Sequence, residues 1–342
     1  MKAVGYLESR AIDEEDALLD IEIPMPEAKG RDLLVKVSAI SVNPVDTKVR
    51  KSASPEEGQY KILGWDAVGE VIAIGDQAEL FKKGDQVWYA GALTCPGSNA
   101  EYQLVDERLV GLKPKSLSNS EAAAVPLTAV TAWELLFDRL DFVPSSKDDP
   151  EAPQAVILII GAAGGVGSIL IQLVRKLTNA IVIGTASREQ SANWARELGS
   201  HHVINHHQPL LSQINAVGFE DVTHAISLTH THLYFDQLVE ALAPQGKLAL
   251  IDDPEAGIDI TKLKRKSLSL HWELMFTRSL FNTWDMHKQH DILTSVAKLV
   301  DEGEIKTTLG ENYGKINAIN LKRAHAHIES NQAIGKIVLE GF

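Results

Sequence analysis

A doubly wound α/β domain with a parallel sheet, joined to a β-rich barrel domain, is the architecture this chain predicts, and three observations predict it. The run Ala155-Val-Ile-Leu-Ile-Ile-Gly-Ala-Ala-Gly-Gly-Val-Gly167, continuing into Ser168-Ile-Leu-Ile-Gln-Leu-Val-Arg-Lys-Leu177, reads as a buried strand, a glycine turn and a helix. From there to Trp272, strand-like and helix-like segments alternate. Before Val125, by contrast, short β-type segments are punctuated throughout by Gly and Pro.

The first run carries the most chemistry. An unbroken apolar stretch rich in Val and Ile suits a central parallel strand covered on both faces. Ile169, Leu173 and Leu177 recur at helical spacing, and Leu170 and Val174 widen the apolar stripe. Between strand and helix stand Gly161, Gly164, Gly165 and Gly167, interspersed with Ala163 and Val166. The missing side chains leave room for a tight turn and for phosphates to approach the backbone, and the helix start adds N–H donors and the positive end of its dipole. A pyrophosphate is the expected occupant. The dinucleotide fingerprint is Gly-x-Gly-x-x-Gly, and its first position falls here on Ala162. A purely structural glycine bend remains the alternative. No Lys-Ser or Lys-Thr pair follows the last glycine, which speaks against a Walker-type loop.

Taken in order, the β-type segments of the first part are Lys2 to Tyr6, Leu33 to Ile40, Ala67 to Ile74, Gln86 to Tyr89 and Ala100 to Val105, with a Gly84-Asp85 turn before the fourth. Ser118-Asn-Ser-Glu121 is a capping box that starts a helix. After Pro126, Val130, Trp133, Phe137 and Leu140 keep the spacing of a second helix. Asp141 to Gln154 is polar and acidic with three prolines, a surface loop by composition. Beyond the central strand follow strands at Ile181 to Thr185, His202 to Ile204, Val222 to Leu228, Lys247 to Asp252 and Leu268 to Trp272, with helices near Gln190 to Leu198 and Leu233 to Leu242. The tail predicts helices near Ile292 to Glu302 and Ala318 to Ser330 and a last strand, Lys336 to Glu340, folding back on the first domain.

Composition narrows the function classes. A net charge of −13 opposes nucleic acid or an anionic membrane as partner, since both reward positive patches. The longest apolar run is far short of a membrane span, and Met1 to Arg10 lacks the apolar stretch of a secretory signal, so a cytoplasmic protein is expected. One cysteine, Cys95, excludes an intrachain disulfide and any zinc site built mainly from thiolates. The twelve histidines include His201-His202, His206-His207 and His230-x-His232, none with a Cys or carboxylate set at a recognised metal spacing.

Asn43-Pro-Val-Asp46, Gly64-Trp-Asp-Ala-Val-Gly69, Gly84-Asp85, Ala123-Ala-Val-Pro-Leu-Thr-Ala-Val-Thr-Ala-Trp133, Ala163-Gly-Gly-Val-Gly167 and Gly335-Lys-Ile-Val-Leu339 occur in this order. Together they resemble the medium-chain dehydrogenase/reductase superfamily, in particular its quinone oxidoreductase-like branch, over nearly the whole chain. The resemblance implies a GroES-like catalytic domain from residues 1–126 and 277–342, a Rossmann domain over 127–276, an active site at their junction and a homodimer. It departs from zinc-using relatives where ligands belong. Where they carry a Cys, the Asn43 to Asp46 segment has none, and where they carry Gly-His-Glu this chain has Gly64-Trp65-Asp66. No metal is therefore expected.

The end of the second sheet strand, Ile183-Gly-Thr-Ala-Ser-Arg188, lacks the strand-end acid that holds the ribose of NAD. Thr185 and Ser187 supply hydroxyls, and Arg188 suits a 2′-phosphate, so NADP(H) is the expected cofactor. Glu189 as a ribose ligand, or Arg188 as a solvated helix-start residue, are the competing readings. The resemblance places Thr128, Ser227 and Thr229, and Ile251 and Asp252 near the nicotinamide. The two loops lie beyond strand ends, where open sheets bind ligands. Thr128 also reads as a helix hydroxyl bonding its own backbone, and Asn43 and Asp46 as an Asx turn.

The expected activity is NADPH-dependent, zinc-independent hydride transfer to a quinone or an α,β-unsaturated carbonyl compound. Asn43 would donate to the acceptor oxygen, Thr128 would donate there or position the nicotinamide instead, and Asp46, ionised at its ordinary pKa, would orient its neighbours while water delivers the proton. Alcohol/aldehyde dehydrogenase-type carbonyl reduction, or NADPH binding without turnover, are the alternatives.

Overall fold

The amino-terminal strand β1 (Lys2–Tyr6) pairs antiparallel with β2 (Leu19–Glu22) and β4 (Lys61–Ile62) in a three-stranded sheet. A seven-stranded sheet is built around the eleven-residue β3 (Asp32–Val42), which alternates buried and exposed residues only in its middle because both of its edges are covered. One edge carries β5 (Ala67–Ile74), followed outward by β6 (Gln86–Tyr89) and β8 (Val110–Leu112). The other edge is shared, with β7 (Tyr102–Asp106) along Asp32 to Lys36 and the carboxyl-terminal β16 (Lys336–Glu340) along Ala39 to Val42. The structure is a computed structural model that describes residues 1–143 and 154–342. The loop expected over Asp141 to Gln154 falls mostly on 144–153, outside the described residues.

Helix α1 (Pro44–Ser52) follows β3 directly, with Asn43 as N-cap, proline at its first turn and Arg50 and Lys51 in its last. The Asx turn that is one reading of Asn43 and Asp46 is instead the start of this helix, which the cap, the Pro and the terminal charges all favour. The capping box at Ser118 starts α2 (Asn119–Ala123), Ser118 N–H donating to Glu121 at 2.9 Å. Helix α3 (Pro126–Trp133) runs on into a π-helical turn at Glu134–Arg139.

The second sheet holds β9 (Val156–Ile160), β10 (Ile181–Thr185), β11 (His202–Ile204), β12 (Val222–Ser227), β13 (Leu242–Leu250) and β14 (Ser269–Trp272), all parallel, in the order β11-β10-β9-β12-β13-β14. Every residue of β9 is buried, which is why its sequence is a continuous apolar run rather than an alternating one. The crossovers are α4 (Gly165–Leu177), α5 (Glu189–Glu197), α6 (Leu210–Ala216) and α7 (Thr231–Ala241). A 3₁₀ segment, Ile260–Lys266, precedes β14. Helix α6, not expected from the sequence, buries only Leu210 and Ile214, too few apolar positions for a visible period. Leu158, Ile183, Ala225, Leu238 and Leu248 belong to the core of this sheet.

The remaining chain forms α8 (Thr277–Phe281), α9 (Lys288–Asp301), β15 (Leu309–Asn312) and α10 (Ala318–Glu329) before β16. Two units result, Met1–Val130 with Phe276–Phe342, and Thr131–Met275. No helix among the described residues is long and apolar enough to cross a membrane.

Candidate functional site

Each glycine after β9 has its own physical cause. Gly161 sits at φ +82, a left-handed conformation that the turn requires. Gly167 lies so close under the turn that a Cβ would stand 2.5 Å from the carbonyl oxygens of Gly161 and Ala162. It plays the close-packing role of the fingerprint's third glycine, and Gly161 takes the tight-turn role that Ala162 cannot. Gly164 is different. Its φ of −76 and ψ of 178 suit any residue, and a Cβ would meet nothing closer than the Gly161 oxygen at 3.5 Å. Neither conformation nor packing demands a glycine there, so the open space beside it is what the absent side chain provides.

That space adjoins the start of α4, whose first N–H groups, at Gly165, Val166 and Gly167, have no intrahelical acceptor. Gly164 is the N-cap and supplies no side-chain bond, and no acid occupies the first turn. Ala163 is buried beneath the turn. A phosphate fits such a helix start by charge and by hydrogen bonding.

Two other expected cofactor residues, Thr185 and Thr229, reach the turn. The Gly161 N–H donates to Thr185 Oγ1 at 3.2 Å, so this buried hydroxyl holds the glycine turn against β10. Thr229 approaches from the loop after β12, its Cγ2 being the nearest atom to where a Gly161 Cβ would stand. Ser187 and Arg188 are exposed at the start of α5, with Arg188 as its N-cap. Glu189 is the first helical residue rather than a strand-end acid.

Ser227 and Asp252 are joined through Thr231, which sequence reasoning missed. Asp252 Oδ2 accepts the Thr231 N–H at 2.8 Å, and Thr231 Oγ1 bonds both Asp252 Oδ1 and Ser227 Oγ. Asp252 thus caps α7 from the end of β13, with both oxygens in use, and Ile251 stands half-buried beside it. These two loops are fixed to one another at the carboxyl ends of their strands.

The expected catalytic residues lie in the other unit, and all three are buried. Thr128 Oγ1 donates to the Val125 carbonyl at 3.0 Å, the local helix bond that its position allows. Asn43 Nδ2 donates to Asp66 Oδ2 at 2.9 Å, while its Oδ1 accepts from Lys336 Nζ. Its amide is therefore engaged at both ends, with Nδ2 also 3.5 Å from the Ser41 and Trp65 carbonyls. Asp46 Oδ2 accepts the Asn43 N–H at 2.7 Å. Its Oδ1 is buried, and the Gly64 N–H is a further backbone hydrogen-bond donor to the carboxylate. Burial pushes the Asp46 pKa up to about 7, with Asp66 adding to the rise and the Asn43 N–H and Lys336 opposing it. This corrects the expectation of an ordinary carboxylate.

Asp66 is the hub. Its Oδ2 accepts from Ser41 Oγ at 2.8 Å, Asn43 Nδ2 at 2.9 Å and Lys336 Nζ at 3.1 Å, and its Oδ1 accepts the Leu127 N–H at 2.7 Å. Four donors satisfy a fully buried carboxylate and fix β5, β16 and the starts of α1 and α3 to one point. A zinc ion does not fit these residues. Zinc needs lone pairs from N, S or carboxylate ligands, whereas Trp65 directs its Nε1–H to the Ala92 carbonyl at 3.1 Å and packs its ring on Phe276. Cys95 is exposed, and among the described residues no three His, Cys, Asp or Glu side chains are grouped to hold a metal.

Comparison with known proteins places this geometry. Residues 29–127 match the alcohol dehydrogenase GroES-like domain, and residues 198–339 match the zinc-binding dehydrogenase domain. A zinc-type alcohol dehydrogenase-like protein of Staphylococcus epidermidis is 38% identical over 99% of both chains. A 2-methylene-furan-3-one reductase of Solanum lycopersicum is 36% identical over 60% of this chain and 52% of its own. A solved structure from Rhizobium etli CFN 42, assigned to the zinc-dependent alcohol dehydrogenases, is 50% identical, covers 100% of this chain and 98% of its own, and superposes with a TM-score of 0.94. With a parallel dinucleotide-type sheet, a GroES-like domain and full-length relatives in hand, the chain belongs to the medium-chain dehydrogenase/reductase superfamily of oxidoreductases.

Proposed function

We propose that this chain is an NADPH-dependent, zinc-independent oxidoreductase that transfers hydride to a quinone or an α,β-unsaturated carbonyl compound. The observation that carries the reading is Gly164, a glycine with no conformational or packing cause, beside the uncapped start of α4. Gly165, Val166 and Gly167 would hold the pyrophosphate through backbone N–H groups, with Gly164 leaving room for it, and Ser187 and Arg188 the 2′-phosphate. NADPH when bound supplies the hydride. Thr185 and the Thr231 network keep the turn and the two strand-end loops in place. The plant relative's name supports an enone acceptor, since 2-methylene-furan-3-one is itself an α,β-unsaturated ketone.

NADPH oxidation with a panel of quinones and enones tests the reading. Consumption of NADPH with double-bond reduction is the expected result. Reduction at the carbonyl carbon alone would replace it with the alcohol dehydrogenase-type alternative, and tight binding without turnover with a non-catalytic role.

A homodimer is part of the same proposal. Strand β14 pairs only with β13, leaves the other edge of the sheet open among the described residues, and exposes Trp272. Pairing across a two-fold axis would cover such an edge. A single monomeric species in sedimentation at micromolar concentration would overturn it.

A further inference from the structure

A chain of hydrogen bonds runs from helix α5 into the glycine turn. Trp194 of α5 donates its indole Nε1–H to Ser168 Oγ at 2.8 Å, and the Ser168 hydroxyl donates in turn to the Gly164 carbonyl at 2.7 Å. Ser168 is fully buried, and the same carbonyl also accepts the Ser168 N–H at 2.9 Å, the first backbone bond of α4. A half-buried indole needs an acceptor, and many groups would meet that need. Here the acceptor is a hydroxyl whose own hydrogen goes to the turn. The Gly164 carbonyl belongs to the peptide that carries the Gly165 N–H, and in a trans peptide the two point in opposite directions. With the carbonyl directed into the helix, the Gly165 N–H points out of its start.

We infer that Trp194 and Ser168 are positioning residues for the cofactor, holding and polarising the Gly164–Gly165 peptide so that its N–H is a stronger donor to a pyrophosphate. Hydrogen bonds in series strengthen one another by about 10–30% per bond, and charge drawn onto a carbonyl oxygen leaves the amide hydrogen of the same peptide more positive. Both side chains act through this peptide. The inference rests on the pyrophosphate reading proposed above and deepens it. Pyrophosphate is common to NADPH and NADH, so the relay serves both alike, whereas Arg188, the N-cap of the same helix α5, is assigned to the 2′-phosphate alone.

The experiment uses the full chain and the variants Trp194→Phe and Ser168→Ala. Gly164-Gly165 is the only Gly-Gly pair in the sequence, so with ¹³C-carbonyl, ¹⁵N-glycine the Gly165 amide is the one glycine amide coupled to a labelled carbonyl, and its resonance is assigned directly. Without ligand, the Gly165 amide proton should move upfield in both variants. ADP, which carries the pyrophosphate but no 2′-phosphate, should move the Trp194 indole proton of the wild type downfield, that resonance being the one lost in Trp194→Phe. Affinity for ADP should fall about three- to tenfold in Ser168→Ala and about twofold in Trp194→Phe, with NADPH and NADH losing the same factor. An unmoved Gly165 amide in Trp194→Phe, a Trp194 indole that ignores saturating ADP, or ADP affinity equal to wild type in both variants overturns the inference and leaves the pyrophosphate reading standing. Failure of the wild type to bind ADP, NADPH or NADH removes that reading and the inference with it. Should Ser168→Ala fail to fold because the indole N–H loses its acceptor, Trp194→Phe, which leaves no donor unpaired, carries the test.

Discussion

The Lys336 ammonium lies 3.1 Å from Asp66 Oδ2, with both side chains buried and the two residues 270 positions apart in the chain. The pair fastens β16, the last strand, to the turn that leads into β5, and Asp66 passes the restraint on to α3 through the Leu127 N–H. Two buried charges lose much hydration, so the arrangement holds only because hydrogen bonds satisfy the remaining valences on both partners.

Removing one member should cost more than removing both. Lys336→Met leaves Asp66 buried beside a second carboxyl and is expected to lower unfolding free energy by on the order of 3–5 kcal/mol. Adding Asp66→Asn to it should recover part of that loss. Urea denaturation of the two single variants and the double variant measures the coupling, and simple additivity would show that the pair does not act as a unit.

Asp46 makes a pH prediction with a definite sign. The folded chain keeps its proton up to about pH 7, while the unfolded chain releases it near an ordinary carboxyl value. The folded state therefore binds more protons across that window. The stability from this group is fully present below the unfolded value and is lost as pH rises through about 7. Asp46→Asn keeps an acceptor for the Asn43 N–H and should remove that part of the decline, relative to wild type, on the order of a few kcal/mol between acid and neutral pH. Parallel stability–pH curves for the two proteins would contradict it.

Gly164 and Gly167 should respond oppositely to the same change. Gly167→Ala puts a Cβ against two backbone carbonyls and is expected to cost about 1–3 kcal/mol of stability, or to shift the turn. Gly164→Ala has room and allowed dihedrals, so its melting temperature should stay close to wild type while NADPH affinity falls. Thermal melts with cofactor titration separate the two, and unchanged NADPH affinity in Gly164→Ala would remove the main support for the cradle.

Cofactor choice rests on the exposed start of α5. Arg188→Ala should cost about 1.5–3 kcal/mol in NADPH affinity, the range for hydrogen bonds to charged groups, with little effect on NADH. Equal losses for both cofactors would count against a 2′-phosphate contact.

Much of the fold is legible locally because its signals are local. Apolar runs at β9 and β10 and the Ser118 capping box need only their neighbours to be read. The failures have physical causes too. Helix α1 was missed because its buried face is Asp46, Thr47 and Arg50, so no apolar period marks it, even though its Asn-Pro start and basic end were present. Strands β4 and β8 are two and three residues long, too short to show alternation.

Chain order and spacing alone determined the superfamily, the parallel sheet and the glycine turn, because each depends on residues close in sequence or on motifs in a set order. Only the tertiary structure decided which groups Asn43, Asp46, Thr128 and Lys336 meet. Asn43 reads as an available donor until Lys336, 293 residues away, and Asp66 occupy both ends of its amide. Asp46 reads as an ordinary carboxylate until packing removes its water and pushes its pKa up to about 7. Burial, and the partners that long-range pairing of β3 with β16 brings together, set the charge and the free valences of a side chain, and neither is written in the residues beside it.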